Sequence, residues 1–203
     1  MVSSHIRYVR PDLAVCVLPC WLAPEQHDTL IHALQTELEW NQGAVSMFGK
    51  SIDEPRLTAW CGDTPYVYSR RRLEPKAWHP SLLNLRSKLE QLMTELGLVT
   101  PFGLNHCLLN LYRSGQDSMG WHRDNEAELG IDPMIVSLSL GQARRFRLRP
   151  RKGIVTSPLT FELGKGDLLV MYGRTQTGWE HALMKTKQSM EPRINITFRS
   201  VAG

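Results

Sequence analysis

His122 and Asp124 sit two residues apart in GWHRDNE, residues 120–126, with a tryptophan before them and further acidic side chains after. In an extended segment residues i and i+2 share a face. The imidazole and the carboxylate then point the same way, and Glu126 joins them if the segment stays extended. Such a pair is either half of a metal site or two polar side chains of a loop. Alone it does not decide, because H-x-D is common by chance.

Two other segments divide in the same manner. In RINITFR, residues 193–199, the apolar Ile194, Ile196 and Phe198 take one face, while Arg193, Asn195, Thr197 and Arg199 take the other. In LLNLY, Leu109 and Leu111 share a face and leave Asn110 and Tyr112 opposite. Two arginines on an inward face need anionic partners, since a buried unpaired guanidinium is very costly, and a guanidinium fork suits a carboxylate. A third metal ligand must come from another strand. Of the seven histidines, only His181, in GWEHALMK, lies beyond His122 and shortly before RINITFR. His122, Asp124 and His181 with open positions would make the 2-His-1-carboxylate arrangement of non-haem Fe(II) oxygenases, and the arginines point to a small dicarboxylate.

The elements that must position these residues are partly legible. The chain has 203 residues, 42% hydrophobic and 22% charged, the composition of one soluble globular domain able to bury its own core. Leu30, Ile31, Leu34 and Leu38 fall on one face of a helix whose first turn suits Pro24. Leu82, Leu85, Leu89, Leu92 and Leu96 mark a second helix, with Gly97 as its C-cap. Residues 41–78, rich in Gly, Pro, Arg and aromatics, read as short strands and loops. After Gly97 come HCLLNLY, MIVSLSL, RRFRLRP, PLTFEL, DLLVMY and RINITFR, short runs with strand character. Strands after helices give an α+β chain, with helices buttressing a β-sandwich, barrel or jelly roll. No apolar run is long enough for a transmembrane helix. The N-terminus, broken by Arg10, Pro11 and Asp12, lacks the pattern of a signal peptide. Cys16, Cys20, Cys61 and Cys107 have neither CxxC nor zinc-site spacing and read as free thiols. The expected compartment is cytoplasmic in a bacterium or nuclear in a eukaryote.

With these residues in view, the chain resembles the AlkB family of iron(II)/2-oxoglutarate-dependent dealkylases. NLY, HRDNE, WEH and RINITFR match the signature N-x-Y…H-x-D…H…R-x-N-x-T-x-R at every position. SMFGKSIDEPR and YVYS are similar to segments of the branch that repairs alkylated bases in duplex DNA. The chain departs from that branch at Met47, at Tyr68, in SRRR (residues 69–72), and in GRTQTGWEH before the distal histidine.

The resemblance implies a double-stranded β-helix (jelly-roll) core over residues 98–203, with N-terminal helices and a nucleotide-recognition lid over residues 1–97. It implies Fe(II) on His122, Asp124 and His181. It implies 2-oxoglutarate as cosubstrate, held by Asn110, Tyr112, Arg193, Thr197 and Arg199. Tyr66, Tyr68 and Glu126 would meet the base. The reaction it implies is oxidative demethylation of 1-methyladenine and 3-methylcytosine in DNA, releasing succinate, CO2 and formaldehyde.

DNA handling is read from the residues around that site. A base inside a duplex must be flipped out to react. Met47, Phe48 and Gly49 form a candidate apolar wedge, and Arg56 is a candidate backbone contact beside it. In RRFRLRPRK, Arg145, Arg147, Arg149 and Arg151 alternate with Phe146 and Leu148, so one face is cationic and suits phosphates, in keeping with a net charge of +4. The expected partner is alkylated double-stranded DNA, met by a monomer. Three other readings compete: a dealkylase of RNA or single-stranded DNA, an oxygenase acting on protein or a small molecule, and a catalytically silent DNA-binding module.

Overall fold

The computed structural model of the chain describes residues 5–47, 50–68 and 71–202. In chain order the elements are β1 (Ile6–Arg10), β2 (Leu13–Leu18), α1 (Pro24–Glu37), β3 (Asn41–Met47), β4 (Lys50–Gly62), β5 (Tyr66–Tyr68), β6 (Arg71–Leu73), α2 (Pro80–Glu95), β7 (His106–Tyr112), β8 (Met119–His122), β9 (Ile135–Gly141), β10 (Arg144–Pro150), β11 (Leu159–Leu163), β12 (Asp167–Tyr172), a helical turn at Thr175–Gly178, β13 (Trp179–Leu183) and β14 (Arg193–Arg199). Eight strands form one antiparallel sheet in the order β1-β2-β12-β9-β14-β7-β4-β3. Four form a second, in the order β11-β10-β13-β8, and β5 pairs with β6 as a separate hairpin. The two larger sheets face one another as a jelly roll.

Alternation along each strand of the large sheet builds two cores. Val136, Leu138 and Leu140 of β9, Ile194, Ile196 and Phe198 of β14, and Cys107 and Leu109 of β7 turn outward against Leu30 and Leu34 of α1 and Leu82, Leu85, Leu89 and Leu92 of α2. Leu169 and Met171 of β12, Val15 and Val17 of β2, Ile135 and Leu108 turn inward, toward Leu148, Phe161, Leu163 and Trp179. Each leucine or isoleucine so buried contributes roughly 1.5–3 kcal/mol relative to exposure. The polar members of the same inward face have no apolar filling to replace them, and they make the site.

Both expected helices form. Pro24 opens α1 at its first turn. At the end of α2, Gly97 takes φ 73, its N–H donates to Thr94 O, and Leu98 N–H donates to Met93 O, a Schellman closure that only a residue at ease in the left-handed region completes without strain. Two features depart from the sequence reading. Strands β1 and β2 precede α1: the interruption at residues 10–12 is their hairpin turn, with Asp12 at φ 54. The segment expected to hold short strands holds the 13-residue β4, which pairs with β7 and so reaches the inward face. The first 97 residues therefore supply β1–β4 to the large sheet as well as the helices.

Gly141 fixes the end of β9 opposite Arg193. Its φ is 79, its N–H donates to His27 Nε2 at 2.9 Å, and a Cβ there would come within 2.3 Å of the Pro192 carbonyl oxygen. Gly141→Ala is expected to destabilise the fold by about 1–3 kcal/mol through overpacking and backbone strain. Urea denaturation checks this, and an unchanged midpoint would show that the β9–β14 junction relaxes freely.

Candidate metal and cosubstrate site

His122 ends β8 directly across from His181 on β13, in register. Asp124 follows two residues later, outside the strand. The three side chains bring ligand atoms within 4.8 Å of one another. The rings of His122 and His181 meet edge to face with centroids 4.1 Å apart. His181 Nε2 lies 3.8 Å from Asp124 Oδ2.

Two of the three ligands are held by a second group. His122 Nδ1 donates to the Gly120 carbonyl at 2.8 Å, which leaves Nε2 as the lone-pair nitrogen. Asp124 Oδ1 accepts from Arg199 Nη2 at 2.9 Å. The Asp124 backbone N–H donates to Gln176 Oε1 at 3.0 Å. Burial opposes the charge on Asp124, yet Arg199 and the two imidazoles overcome it and hold the carboxyl down to about 2. Burial pulls His181 down to about 3, with His122 adding to the effect, and it also lowers His122 against the pull of Asp124. The protein alone therefore presents two neutral imidazoles and one carboxylate, the protonation state a divalent cation requires.

The inward face of β14 continues the site. Asn110, Tyr112, Arg193, Asn195, Thr197 and Arg199 line one cavity with the three ligands. Arg193 is 2% exposed. Its Nη2 donates to Ser139 Oγ at 2.8 Å, its guanidinium lies 5.5 Å from the centre of the Tyr112 ring, and its Nε is buried without a partner. Among the described residues no carboxylate pairs with it. Burial, with Arg144 adding, lowers its pKa to about 10. A buried cation with a donor to spare, in a cavity it shares with three ligand atoms, fits a small ligand carrying a carboxylate. Asn110 Oδ1 accepts from Arg56 Nε at 2.9 Å, which leaves its amide nitrogen for a ligand. Thr197 Oγ1 donates to Asn195 Oδ1 at 3.2 Å.

Arg56 is the clear correction. Expected at a DNA backbone, it is 3% exposed, with its guanidinium committed to Glu54 at 2.8 Å and to Asn110. Alternation along β4 sends Glu54, Arg56 and Thr58 to the inward face, away from any DNA backbone. Tyr66 is fully buried and packs edge to face on His106, with centroids 4.6 Å apart. Glu126 stands half-buried beyond Asp124; burial and then the Asp124 charge raise its carboxyl, while Arg199 and the Tyr66 hydroxyl oppose them. Phe48 and Gly49 lie outside the described residues, as do the side chains of Met47 and Tyr68.

Arg145, Arg147 and Arg149 are exposed on β10 as the alternation requires. Arg149 is already engaged, bonded to Glu180 at 2.8 Å and stacked 4.2 Å above Trp121. Sequence reasoning missed Gln176, Ser139 and the buried Arg144. Ser137 and Ser139 were within reach, because MIVSLSL places both on the inward face by the same alternation. Gln176 sits in the short helical turn of GRTQTGWEH, where no periodicity marks it.

A profile of the 2OG-Fe(II) oxygenase superfamily matches residues 14–199. The Bos taurus protein named alpha-ketoglutarate-dependent dioxygenase alkB homolog 3 is 38% identical over 195 residues, covering 92% of this chain and 66% of that relative's length. The Bos taurus protein named DNA oxidative demethylase ALKBH2 is 36% identical over 204 residues, covering 95% of this chain and 71% of the relative. The solved structure of OsALKBH1 matches with a TM-score of 0.67 at 18% identity, over 97% of this chain and all of the other, a likeness of fold.

Two stability effects follow. Asp124 and Arg199 are buried together, so Asp124→Ala is expected to lose metal binding and also to cost about 3–5 kcal/mol by stranding Arg199. Asp124→Asn, which keeps a carbonyl for Arg199, should cost less. The metal-free protein should weaken in two stages as pH falls. His122 and His181 have folded pKa values below the ordinary 6.5, so protons favour the unfolded chain from about pH 6.5 down toward 3. Asp124 has a folded pKa below the ordinary 3.8, so its contribution is full above that value and is lost as pH falls through about 2. Chemical denaturation of metal-free protein between pH 7 and 4 checks the first stage; a flat profile there would mean that the histidines are not buried neutral.

Proposed function

We propose that this chain, which belongs to the AlkB family within the 2OG-Fe(II) oxygenase superfamily, oxidatively dealkylates N-alkylated bases in DNA. Its family uses Fe(II) and 2-oxoglutarate, and the donor set fits both. The observation that carries the reading is Arg193, a guanidinium 2% exposed with no carboxylate of the described chain to pair with, in the same cavity as three convergent metal ligands.

When bound, Fe(II) with 2-oxoglutarate and O2 supplies the oxidising power to hydroxylate an N-alkyl carbon, with succinate and CO2 as co-products and formaldehyde released from a methyl group. The residues bind, orient and exclude. His122, Asp124 and His181 hold the metal, with Gly120 fixing the orientation of His122, and Gln176 and Arg199 that of Asp124. Arg193, backed by Ser139 and Tyr112, takes the carboxylate of 2-oxoglutarate far from the metal. Asn110 is turned toward the cosubstrate by Arg56. Thr197 and Arg199 face its metal-proximal end. Apolar neighbours such as Ile135, Phe146, Met171 and Leu183 line the cavity and keep water out. Tyr66 and Glu126 meet the base, and Tyr68 completes that pocket. A carboxyl raised by burial beside a tyrosine suits hydrogen bonding to an exocyclic amino group.

The finer reading is that a monomer works on double-stranded DNA, with β3–β4 and β5–β6 as the lid over the base, Phe48 flanked by Met47 and Gly49 as the wedge, and Arg145 and Arg147 meeting phosphates, Arg149 being engaged by Glu180 and Trp121. What supports it is the sequence of SMFGK, two large apolar residues followed by a glycine. The 38% and 36% identities to the two relatives do not choose between strand forms.

Mass spectrometry of oligonucleotides, each carrying one N-alkylated base and incubated with the protein, Fe(II) and 2-oxoglutarate, tests the activity. Loss of one methyl per lesion with matching succinate is the expected result, and succinate that is indifferent to DNA would sink the reading. Arg193→Ala should raise the 2-oxoglutarate requirement by roughly thirtyfold or more, equivalent to about 2–5 kcal/mol for a truncated charge pair. Calorimetric titration with 2-oxoglutarate measures it directly, and an unmoved affinity would assign that carboxylate elsewhere. Phe48→Ala should slow repair in duplex DNA by about tenfold and leave single-stranded repair little changed. Equal losses on both would make Phe48 a packing residue.

A further inference from the structure

Two of the three metal ligands stand on a junction that its own backbone holds loosely. β8, which carries His122, has four residues and lies at the edge of its sheet. It meets β13 at His122 opposite His181 and at Met119 opposite Leu183, with a register shift between the two. A short edge strand is paired on one side only, so backbone bonds alone set its register weakly. His181 has a further need: among the described residues no hydrogen bond orients its ring, which packs on the rings of His122 and Phe146.

The outer face of the same sheet supplies a hold. Neighbours along a strand point to opposite faces. Behind His122 is Trp121 of β8, behind His181 is Glu180 of β13, and behind Leu148, the residue opposite His181, is Arg149 of β10. Arg149 and Glu180 face each other in register. Arg149 Nε donates to Glu180 Oε2 at 2.8 Å, and its Nη2 lies 2.7 Å from the same oxygen. The guanidinium also lies 4.2 Å from the centre of the Trp121 ring. One side chain therefore reaches from β10 across β13 to β8, and it touches the residue directly beside each histidine ligand.

Neither contact is large alone. An ion pair half in solvent adds little to global stability, and a cation–π contact at the surface is modest. Their effect here is local, because β8 has few other bonds to resist a shift, and a shift of Trp121 carries His122 with it. The sign of the effect on metal binding separates this role from plain electrostatics. A fixed cation near the site repels a divalent metal ion, and Glu180 freed of its partner would attract one, so by charge alone the loss of Arg149 tightens metal binding. Loss of a positioning contact loosens it.

We propose that Arg149 is a positioning residue for the metal site: with Glu180 and Trp121 it clamps β8 to β13 from the outer face and so holds His122 and His181 at the separation a metal ion needs. The inference rests on the metal-site reading above and not on the choice of DNA as substrate. It gives Arg149 a task distinct from that of Arg145 and Arg147, which share its face of β10.

The test titrates the metal-free protein with Co(II), a spectroscopic stand-in for Fe(II), in the absence of DNA, and reads the affinity and the visible ligand-field bands. Arg149→Ala should weaken Co(II) binding about fivefold, the scale of one surface cation–π contact together with an exposed ion pair, and should alter the bands at saturation. Arg149→Lys, which keeps a cation for Glu180 and Trp121, should restore most of both. Arg147→Ala removes the same charge from the same face but leaves the clamp intact, and it should bind Co(II) as tightly as wild type or more so. An unchanged or tighter affinity in Arg149→Ala overturns the clamp, as does an equal loss in Arg147→Ala, which would report charge or general damage. A wild type that binds no Co(II) overturns the metal-site reading and the clamp with it. Failure to dealkylate DNA, with the Co(II) affinities as expected, overturns the choice of substrate while the clamp stands supported.

Discussion

Two guanidinium groups buried on one strand set the terms for the rest of this protein. Arg193 and Arg199 stand on the inward face of β14, 2% and 3% exposed, between neighbours that are largely apolar. An uncompensated charge in such a place is far more costly than any single packing contact can offset. The chain answers for Arg199 with Asp124. For Arg193 it provides a hydroxyl, a tyrosine ring and no carboxylate among the described residues. The fold thus carries an electrostatic deficit at one end of a cavity and converging metal ligands at the other. A small ligand with a carboxylate at its far end is stabilised by that deficit, and the same ligand steadies the protein by mass action.

The Asp124–Arg199 pair ties structure to chemistry more tightly than the ligand triad suggests. Asp124 comes after the end of β8, in a stretch with no sheet to hold it. Its position depends on Arg199 from β14 and Gln176 from the turn before β13. Two separate segments converge on this one residue, one at its carboxylate and one at its backbone N–H. The oxygen facing Arg199 is thereby spoken for, and the other faces His181. A loop residue acquires the precision of a strand residue because its hydrogen bonds are made to strands and to a closed turn.

Much of this was legible in the sequence, for a definite reason. A strand buried on both faces alternates between two environments, and in RINITFR one of them is polar. Period two therefore sorted Arg193, Asn195, Thr197 and Arg199 from Ile194, Ile196 and Phe198 before any coordinates, and the spacing of His122, Asp124 and His181 completed the triad. The same rule applied to DEPRLTAWC turns Arg56 inward, away from the DNA-backbone position expected of it beside the wedge. Arg144 and Arg145 show the rule at single-residue resolution, adjacent arginines with one sealed under three carbonyl oxygens and the other in solvent. Gln176 was out of reach because it acts from an irregular turn, where neither helical nor strand periodicity assigns a direction. The β1–β2 hairpin was missed because Arg10, Pro11 and Asp12 read as a break in structure, when a break of that kind is also what a tight turn requires.

The paired strands of the two large sheets and the separate β5–β6 hairpin divide what can change from what cannot. The residues proposed for metal and cosubstrate lie on β7, β8, β13 and β14, with Asp124 just past β8; β8 pairs with β13 and β7 with β14, so displacing one strand displaces its partner's groups as well. Tyr66 instead lies on the small β5–β6 hairpin, outside both large sheets, and Glu126 lies in a segment that leads into a short 3-10 turn. Their positions rest on local contacts, such as the edge of His106 against Tyr66. A change in those contacts moves the base pocket while the metal ligands keep their register. His106 is notable in this respect: it is 1% exposed, held neutral by burial down to about 3, and neither ring nitrogen has a hydrogen-bond partner. It shares its register position with Arg199, so it is the point where the rigid sheet touches the β5–β6 hairpin. On the proposed reading, selectivity among bases varies through the hairpin and its contact with His106, at little cost to the geometry that the paired strands hold in place.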